Sequence, residues 1–122
     1  MRYLLLDRIT LLGTANVNAT GNSFVNILTG NAGNNVLNGG AAADTLIGGK
    51  GDDTYFVGNI LDAVQEEFSE GTDIVIASVE NYMLANQVEA LVLASGILAG
   101  KGNDGNNTIT GNSGKNTLEG GG

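Results

Sequence analysis

Two aspartates nine residues apart, Asp44 and Asp53, are the side chains of this chain best spaced to do chemistry. Each is the sixth residue of a nonapeptide, GGAAADTLI (39–47) and GGKGDDTYF (48–56), and GNAGNNVLN (30–38) precedes them in the same frame. The spacing suits a hard divalent cation. Calcium takes about six to eight oxygen ligands, drawn from carboxylates, backbone carbonyls and water. Glycines at positions 1, 2 and 4 let the backbone turn tightly at positive φ and bring its carbonyls towards one point. The acid at position 6 adds charge, and the large apolar residue at position 8 anchors a short strand in a core. The candidate ligands are therefore the carboxylates of Asp44 and Asp53, with the backbone carbonyls of Gly39, Gly40, Ala42, Gly48, Gly49 and Gly51.

Nine residues make a turn plus a strand, one half-coil, and two half-coils make one turn of a flattened solenoid. Loops on one edge then stack on their second neighbours. Eighteen residues place Asp44 over Asn26 and Asp53 over Asn35, with Leu46 over Leu28 and Tyr55 over Leu37. The frame persists in GNSFVNILT (21–29), but there Phe24 stands at the fourth glycine and Asn26 at the acid; Ala42 replaces a glycine in 39–47. Asparagine offers an oxygen without charge. Asn26 and Asn35 are expected to add weaker oxygens from the facing loops, while loops built only of asparagine are expected to be held by amide hydrogen bonds without metal.

The segment 48–56 meets every fixed position of G-G-x-G-x-D-x-U-x, U being large and apolar, the calcium-binding β-helix repeat of RTX proteins. Over most of its length the sequence resembles the hemolysin-type calcium-binding (RTX) family, although the pattern is complete only once. The resemblance implies an all-β fold, a parallel β-roll or β-helix solenoid of short strands, with a less regular β insert in the middle. It also implies a Ca2+-binding module of a secreted, extracellular bacterial protein, exported by a type I system with an uncleaved signal beyond this chain. Some relatives carry such modules beside enzymes acting on polysaccharides, so a polysaccharide or a cell surface is the alternative partner. Thr45, Thr54, Thr108 and Thr117, all at position 7, would supply a flat polar contact row in that case.

A larger repeat encloses the small one. GNSFVNILTGNAGNNVLNGG (21–40) returns as GNDGNNTITGNSGKNTLEGG (102–121), and ITLLGTANVNATGN (9–22) returns, one residue shorter, as LVLASGILAGKGN (91–103). The expected organisation is a single solenoid domain over 1–122, a piece of a longer repetitive protein. Residues 1–20 are a strand tail and linker, 21–56 nonapeptide repeats, 57–98 a linking insert, and 99–122 the start of the next repeat block. Solenoid ends are unpaired strand edges, which points to end-to-end self-association.

Composition narrows the function. The chain has 122 residues, 20 of them glycine, and no proline, cysteine or histidine. Missing proline agrees with a ladder that uses almost every backbone N–H. Without cysteine or histidine there are no disulfides, no zinc sites of the usual kind and no thiol or imidazole catalysis. A net charge of −8 disfavours nucleic acid and anionic lipid and favours cations. Asp52 and Asp53 are adjacent and would point apart on a strand, unlike a facing acid/base pair, and five serines have no histidine base. Gly100–Gly105 spells G-x-G-x-x-G, but the next residues, NNTITGNSG, read as a turn and strand instead of a helix. No enzyme is expected. At the N-terminus, Asp7 and Arg8 interrupt the apolar run, so residues 3–12 read as a strand tail corresponding to 85–94, not as a secretory leader, and no stretch is long enough to cross a membrane.

The insert lacks the nonapeptide. DIVIASV and EALVLA read as strands, and Leu61–Phe68 as either strand or a short helix, since Leu61, Val64, Gln65 and Phe68 share a helical face. The acids Asp62, Glu66, Glu67, Glu70 and Asp73 are read as a solvated acidic edge in preference to an extra ion site.

Overall fold

A strand of three residues cannot hold itself together, so each nonapeptide depends on the copies above and below it. The computed structural model of the chain describes residues 6–67 and 70–121, and it is a parallel β-solenoid of about six turns. One face is a continuous six-stranded sheet of β2 (Ala19–Thr20), β4 (Val36–Asn38), β6 (Thr54–Val57), β8 (Ile74–Ala77), β10 (Ala90–Leu93) and β12 (Thr108–Thr110). The other strands alternate with these along the chain. β1 (Leu6–Thr10), β3 (Val25–Thr29), β5 (Thr45–Ile47) and β7 (Ala63–Gln65) form one sheet, and β9 (Tyr82–Met83), β11 (Ala99–Lys101) and β13 (Thr117–Glu119) another.

Every pairing is parallel, with Leu28 opposite Leu46 and Leu37 opposite Tyr55, as the spacing predicts. The core is the column of eighth residues. Leu28, Leu37, Leu46, Tyr55, Val75 and Leu91 are fully buried, and their strand neighbours point outward. Each such leucine contributes about 1.5–3 kcal/mol of apolar burial. Gly100 takes the corresponding place in β11, where a Cβ would press on Leu91 and Leu93. The column is less covered at β13, where Leu118 is 43% exposed.

The insert is part of the solenoid. Thr54 pairs with Ile74 and Ile74 with Ala90, so one turn is two residues longer than the repeat and the next two shorter. The irregularity is thus a matched insertion and deletion that restores the phase. The helical alternative over Leu61–Phe68 fails. Ala63–Gln65 is a strand, Leu61 is exposed while Val64 is buried, and no helix occurs among the described residues. Phe68 lies outside the described residues, as do residues 3–5 of the expected N-terminal strand tail. The two insert strands are found at Ile74–Ala77 and Ala90–Leu93. Gly100–Lys101 lies in a strand, so the G-x-G-x-x-G letters open no helix.

The four threonines do not stack into a row. Thr45 lies between Ile27 and Ala63, Thr54 between Val36 and Ile74, Thr108 beside Ala90 and Thr117 beside Ala99. A half-turn sets Thr45 and Thr54 on opposite faces, which breaks any continuous polar surface.

Candidate metal centre

The sixth residue of each half-coil closes the turn before its strand begins, and its side chain folds inward. Asp44 and Asp53 are each 1% exposed. Asp44 Oδ1 accepts the backbone N–H of Asn26 at 2.8 Å, and Asp53 Oδ1 accepts that of Asn35 at 2.7 Å. The other oxygen of each carboxylate, Oδ2, is buried with no hydrogen-bond partner. A buried carboxylate oxygen left without a donor is costly, so each one marks a place where a cation or a proton is needed.

The glycines around these oxygens are needed there. Asp44 Oδ2 lies where a Cβ on Gly39 would go, and Asp53 Oδ2 where one on Gly48 would go. Gly40, Gly49 and Gly51 have φ of 87°, 86° and 99°, and Ala42 is forced to 71°. Gly40 turns its N–H to Asn38 Oδ1 at 3.0 Å and so gives nothing to Asp44. The carbonyl oxygens of Gly39 and Gly48 lie against Gly21 and Gly30 of the turn beneath, where Asn26 Oδ1 and Asn35 Oδ1 also crowd the space a Cβ would need.

The asparagine loops are wired differently. In 30–35, Asn35 Oδ1 accepts the N–H of Asn31 at 2.9 Å, and Asn31 Oδ1 accepts that of Gly33 at 2.8 Å. Asn31 Nδ2 then donates to the carbonyls of Leu12 and Ala15 in the turn below. The same arrangement recurs in 102–107, where Asn103 Nδ2 reaches Ala85 and Val88, and in 111–116, where Asn112 Nδ2 reaches Ala94 and Ile97. An amide group here occupies the space among converging carbonyls and satisfies them by donation. A GN loop therefore leaves no orphaned oxygen at position 6, whereas a GG loop ending in aspartate does. Asn26 also spends its Oδ1, on the N–H of Asn22 at 2.9 Å.

The acids of the insert are not a solvated edge throughout. Asp62 and Asp73 are buried at 9% and 1% exposure, because they are the position-6 residues of the next turns. Asp62 Oδ1 accepts the N–H of Asp44 and Asp73 Oδ1 that of Asp53, both at 2.8 Å, which continues each ladder upward. Glu66 is half-buried and accepts the Tyr55 hydroxyl, leaving its other oxygen buried and unpartnered. Only Glu67 is exposed as expected, with Glu70 intermediate. Asp62 is within reach of the eighteen-residue spacing from Asp44, and Glu66 keeps that spacing from Gly48 but replaces its glycine; Asp73 is hidden by the two inserted residues.

Electrostatics follows from burial. Loss of water pushes the Asp53 carboxyl up to about 6, against the pull of the Asn35 N–H and with help from Asp52 and Glu70. Asp73 is pushed up to about 7, first by burial, then by Asp53, Glu89 and Asp52, against the Asp53 N–H. Glu66 rises to about 9, from burial and the charges of Asp73, Asp53, Glu70 and Glu89. Asp44 is raised by burial, partly offset by the Asn26 N–H. The site stores unfavourable negative charge that a cation would relieve.

Compared with known families, the chain matches the RTX calcium-binding nonapeptide repeat in four copies, over residues 20–55 and 101–122. The chain thus carries RTX calcium-binding nonapeptide repeats. No curated protein and no solved structure matches the chain. The repeat and the solenoid are structural elements, not catalytic ones, and the repeats bind calcium as a family. The donor set fits that ion, being hard oxygen throughout, with buried carboxylate oxygens lacking any donor. No helix among the described residues is long and apolar enough to cross a membrane.

Proposed function

We propose that the chain is a calcium-binding β-roll module that folds when calcium binds after export, serving the secretion and stability of a larger extracellular bacterial protein. The observation that carries this is the pair of buried, unpartnered Oδ2 atoms on Asp44 and Asp53, absent from the asparagine loops. These two carboxylates would hold the ions. Carbonyls of the glycine turns, Gly39, Gly40, Ala42, Gly48, Gly49 and Gly51, are the further candidate ligands, and Asn26 and Asn35 secondary ones. Bound calcium supplies positive charge where the fold has gathered carboxylates. Where free calcium is scarce, the buried acids repel and oppose compaction. Outside the cell, an ion that binds only the folded chain stabilises it, by about 2.7 kcal/mol per site at 100 times its dissociation constant. The acidic net charge, −8, adds to the dependence on cations.

Far-ultraviolet circular dichroism with calcium and with chelator tests this directly. A large calcium-driven gain of strand signal is expected. A folded chain unchanged by chelator would instead favour a spacer held by asparagine ladders, touching polysaccharide or a cell surface. The amide wiring of Asn31, Asn103 and Asn112 gives that second possibility its support.

A further inference from the structure

The Asp44 and Asp53 loops are alike in sequence but not in surroundings. Above Asp53, the half-coil that follows β7 starts with Glu66, where the repeat has glycine, and Asp73 closes it. Carboxylate oxygens of Asp53, Glu66 and Asp73 all lie within 4.8 Å of one another. Asp53 and Asp73 are each 99% buried, at 1% exposure, and each is anchored through Oδ1 by a backbone N–H of the turn below. The remaining Asp53 oxygen has no partner, and neither does Glu66 Oε2. The Tyr55 hydroxyl donates to the other Glu66 oxygen and fixes that side chain over the loop. Gly48 leaves the space open, since a Cβ there would collide with Tyr55 Oη, Asp53 Oδ2 and Glu66 Oε1. Among the described residues the single ion pair is Lys101–Glu119, so no side-chain cation neutralises the trio.

We propose that Glu66 joins Asp53 and Asp73 in a three-carboxylate cation site, formed where the insert meets the repeats and distinct from the Asp44 loop. It takes a hard cation, calcium in function and a trivalent lanthanide as a probe. Three carboxylates attract a cation more strongly than a loop aspartate with one acidic neighbour, so this site fills first. The proposal rests on Asp53 being a calcium ligand and adds the insert's own residues to the site. It also gives the insert a role: its two extra residues bring Asp73, instead of Gly71, beside Asp53.

The Tyr55 hydroxyl touches the site, so terbium bound there lies close enough to the ring for tyrosine-sensitised emission. We expect terbium titration of the full chain to give saturable emission that calcium displaces. Glu66→Gln, which keeps an acceptor for Tyr55, should weaken terbium at least tenfold, and Asp73→Asn likewise, while Asp104→Asn, at an exposed acid outside both sites, leaves the emission in place. Tyr55→Phe should abolish emission while calorimetry still records terbium binding. Wild-type affinity in both Glu66→Gln and Asp73→Asn would overturn the three-carboxylate site and leave calcium binding by the repeats intact. Absence of any calcium or terbium binding by the wild-type chain would sink the calcium function itself.

Discussion

Asn35 donates its backbone N–H to Asp53 Oδ1 at 2.7 Å across two stacked turns, and that bond decides which carboxylate oxygen is left over. One oxygen is tied to the ladder, the other is buried without a donor. Asparagine in the same place resolves the conflict differently. Asn35 turns its Oδ1 to Asn31 N–H and its Nδ2 to the carbonyl of Val17 at 2.7 Å.

The two residues should therefore fail in different ways. Asp53→Ala is expected to lower calcium affinity at least tenfold, measured by calorimetric titration. Asn35→Ala is expected to spare most of that affinity but to lower stability by about 1–3 kcal/mol, the cost of buried groups left unpaired. Equal losses of affinity in the two variants would contradict the assignment of Asp53.

Without calcium, stability should fall as pH rises. Asp53, Asp73 and Glu66 have folded values near 6, 7 and 9, above ordinary carboxyl values of 3.8 to 4.5. The folded chain thus holds more protons than the unfolded one between those limits. The stabilising contribution is complete below the unfolded values and is lost as pH climbs through the folded ones. In chelator, strand signal by circular dichroism should be larger near pH 5, where protons neutralise these acids, than near pH 8. Saturating calcium should reverse the order, since the ion takes the protons' place. Strand signal in chelator that grows with pH would refute the burial of these acids.

Asparagine loops should stabilise the solenoid independently of the ion. Asn103 Nδ2 donates to the carbonyls of Ala85 and Val88 at 2.7 and 2.8 Å, and its Oδ1 accepts Gly105 N–H. Asn103→Ala is expected to cost about 1–3 kcal/mol by chemical denaturation of the calcium-loaded chain, with the number of bound ions unchanged by calorimetry. Loss of a bound ion in this variant would mean that this loop holds metal.

Much of this architecture is legible in the spacing alone. Position 8 marks the core because Leu28, Leu37, Leu46 and Tyr55 recur every nine residues, and position 6 marks the ladder through Asn26, Asn35, Asp44 and Asp53. The pattern is lost where the period changes. Eighteen residues beyond Asp53 is Gly71, while the residue that meets Asp53 is Asp73. Asp62 keeps the spacing, but VGNILD retains only Gly58 of the three glycines that flag a turn, and its acid looks like surface. The longer repeat also hides its consequence. An offset of 81 residues is about four and a half turns, so matching segments fall on opposite faces, Val25–Thr29 in the sheet of β1 and Thr108–Thr110 in the sheet of β10.

Ala42 tests the turn geometry. It holds φ of 71° where the complete motif has glycine, a conformation that costs a side chain about 1–2 kcal/mol. Ala42→Gly gives part of this back as unfolded-chain entropy, about 0.5–1 kcal/mol. A net gain of up to about 1 kcal/mol is expected in calcium-loaded denaturation. Ala41→Gly, in the same loop without the positive φ, should gain nothing. Destabilisation by Ala42→Gly as large as that by Ala41→Gly would show that no strain resides there.

The central claim is that the unpartnered oxygens of Asp44 and Asp53 are where calcium binds. Calorimetric titration of the full chain beside an Asp44→Asn, Asp53→Asn double variant measures it most directly. The wild-type chain is expected to bind at least two calcium ions and to gain strand signal as it does. The double variant, wired at both loops like its asparagine neighbours, is expected to lose both ions. Undiminished binding by the double variant, or none by the wild-type chain, would contradict the claim.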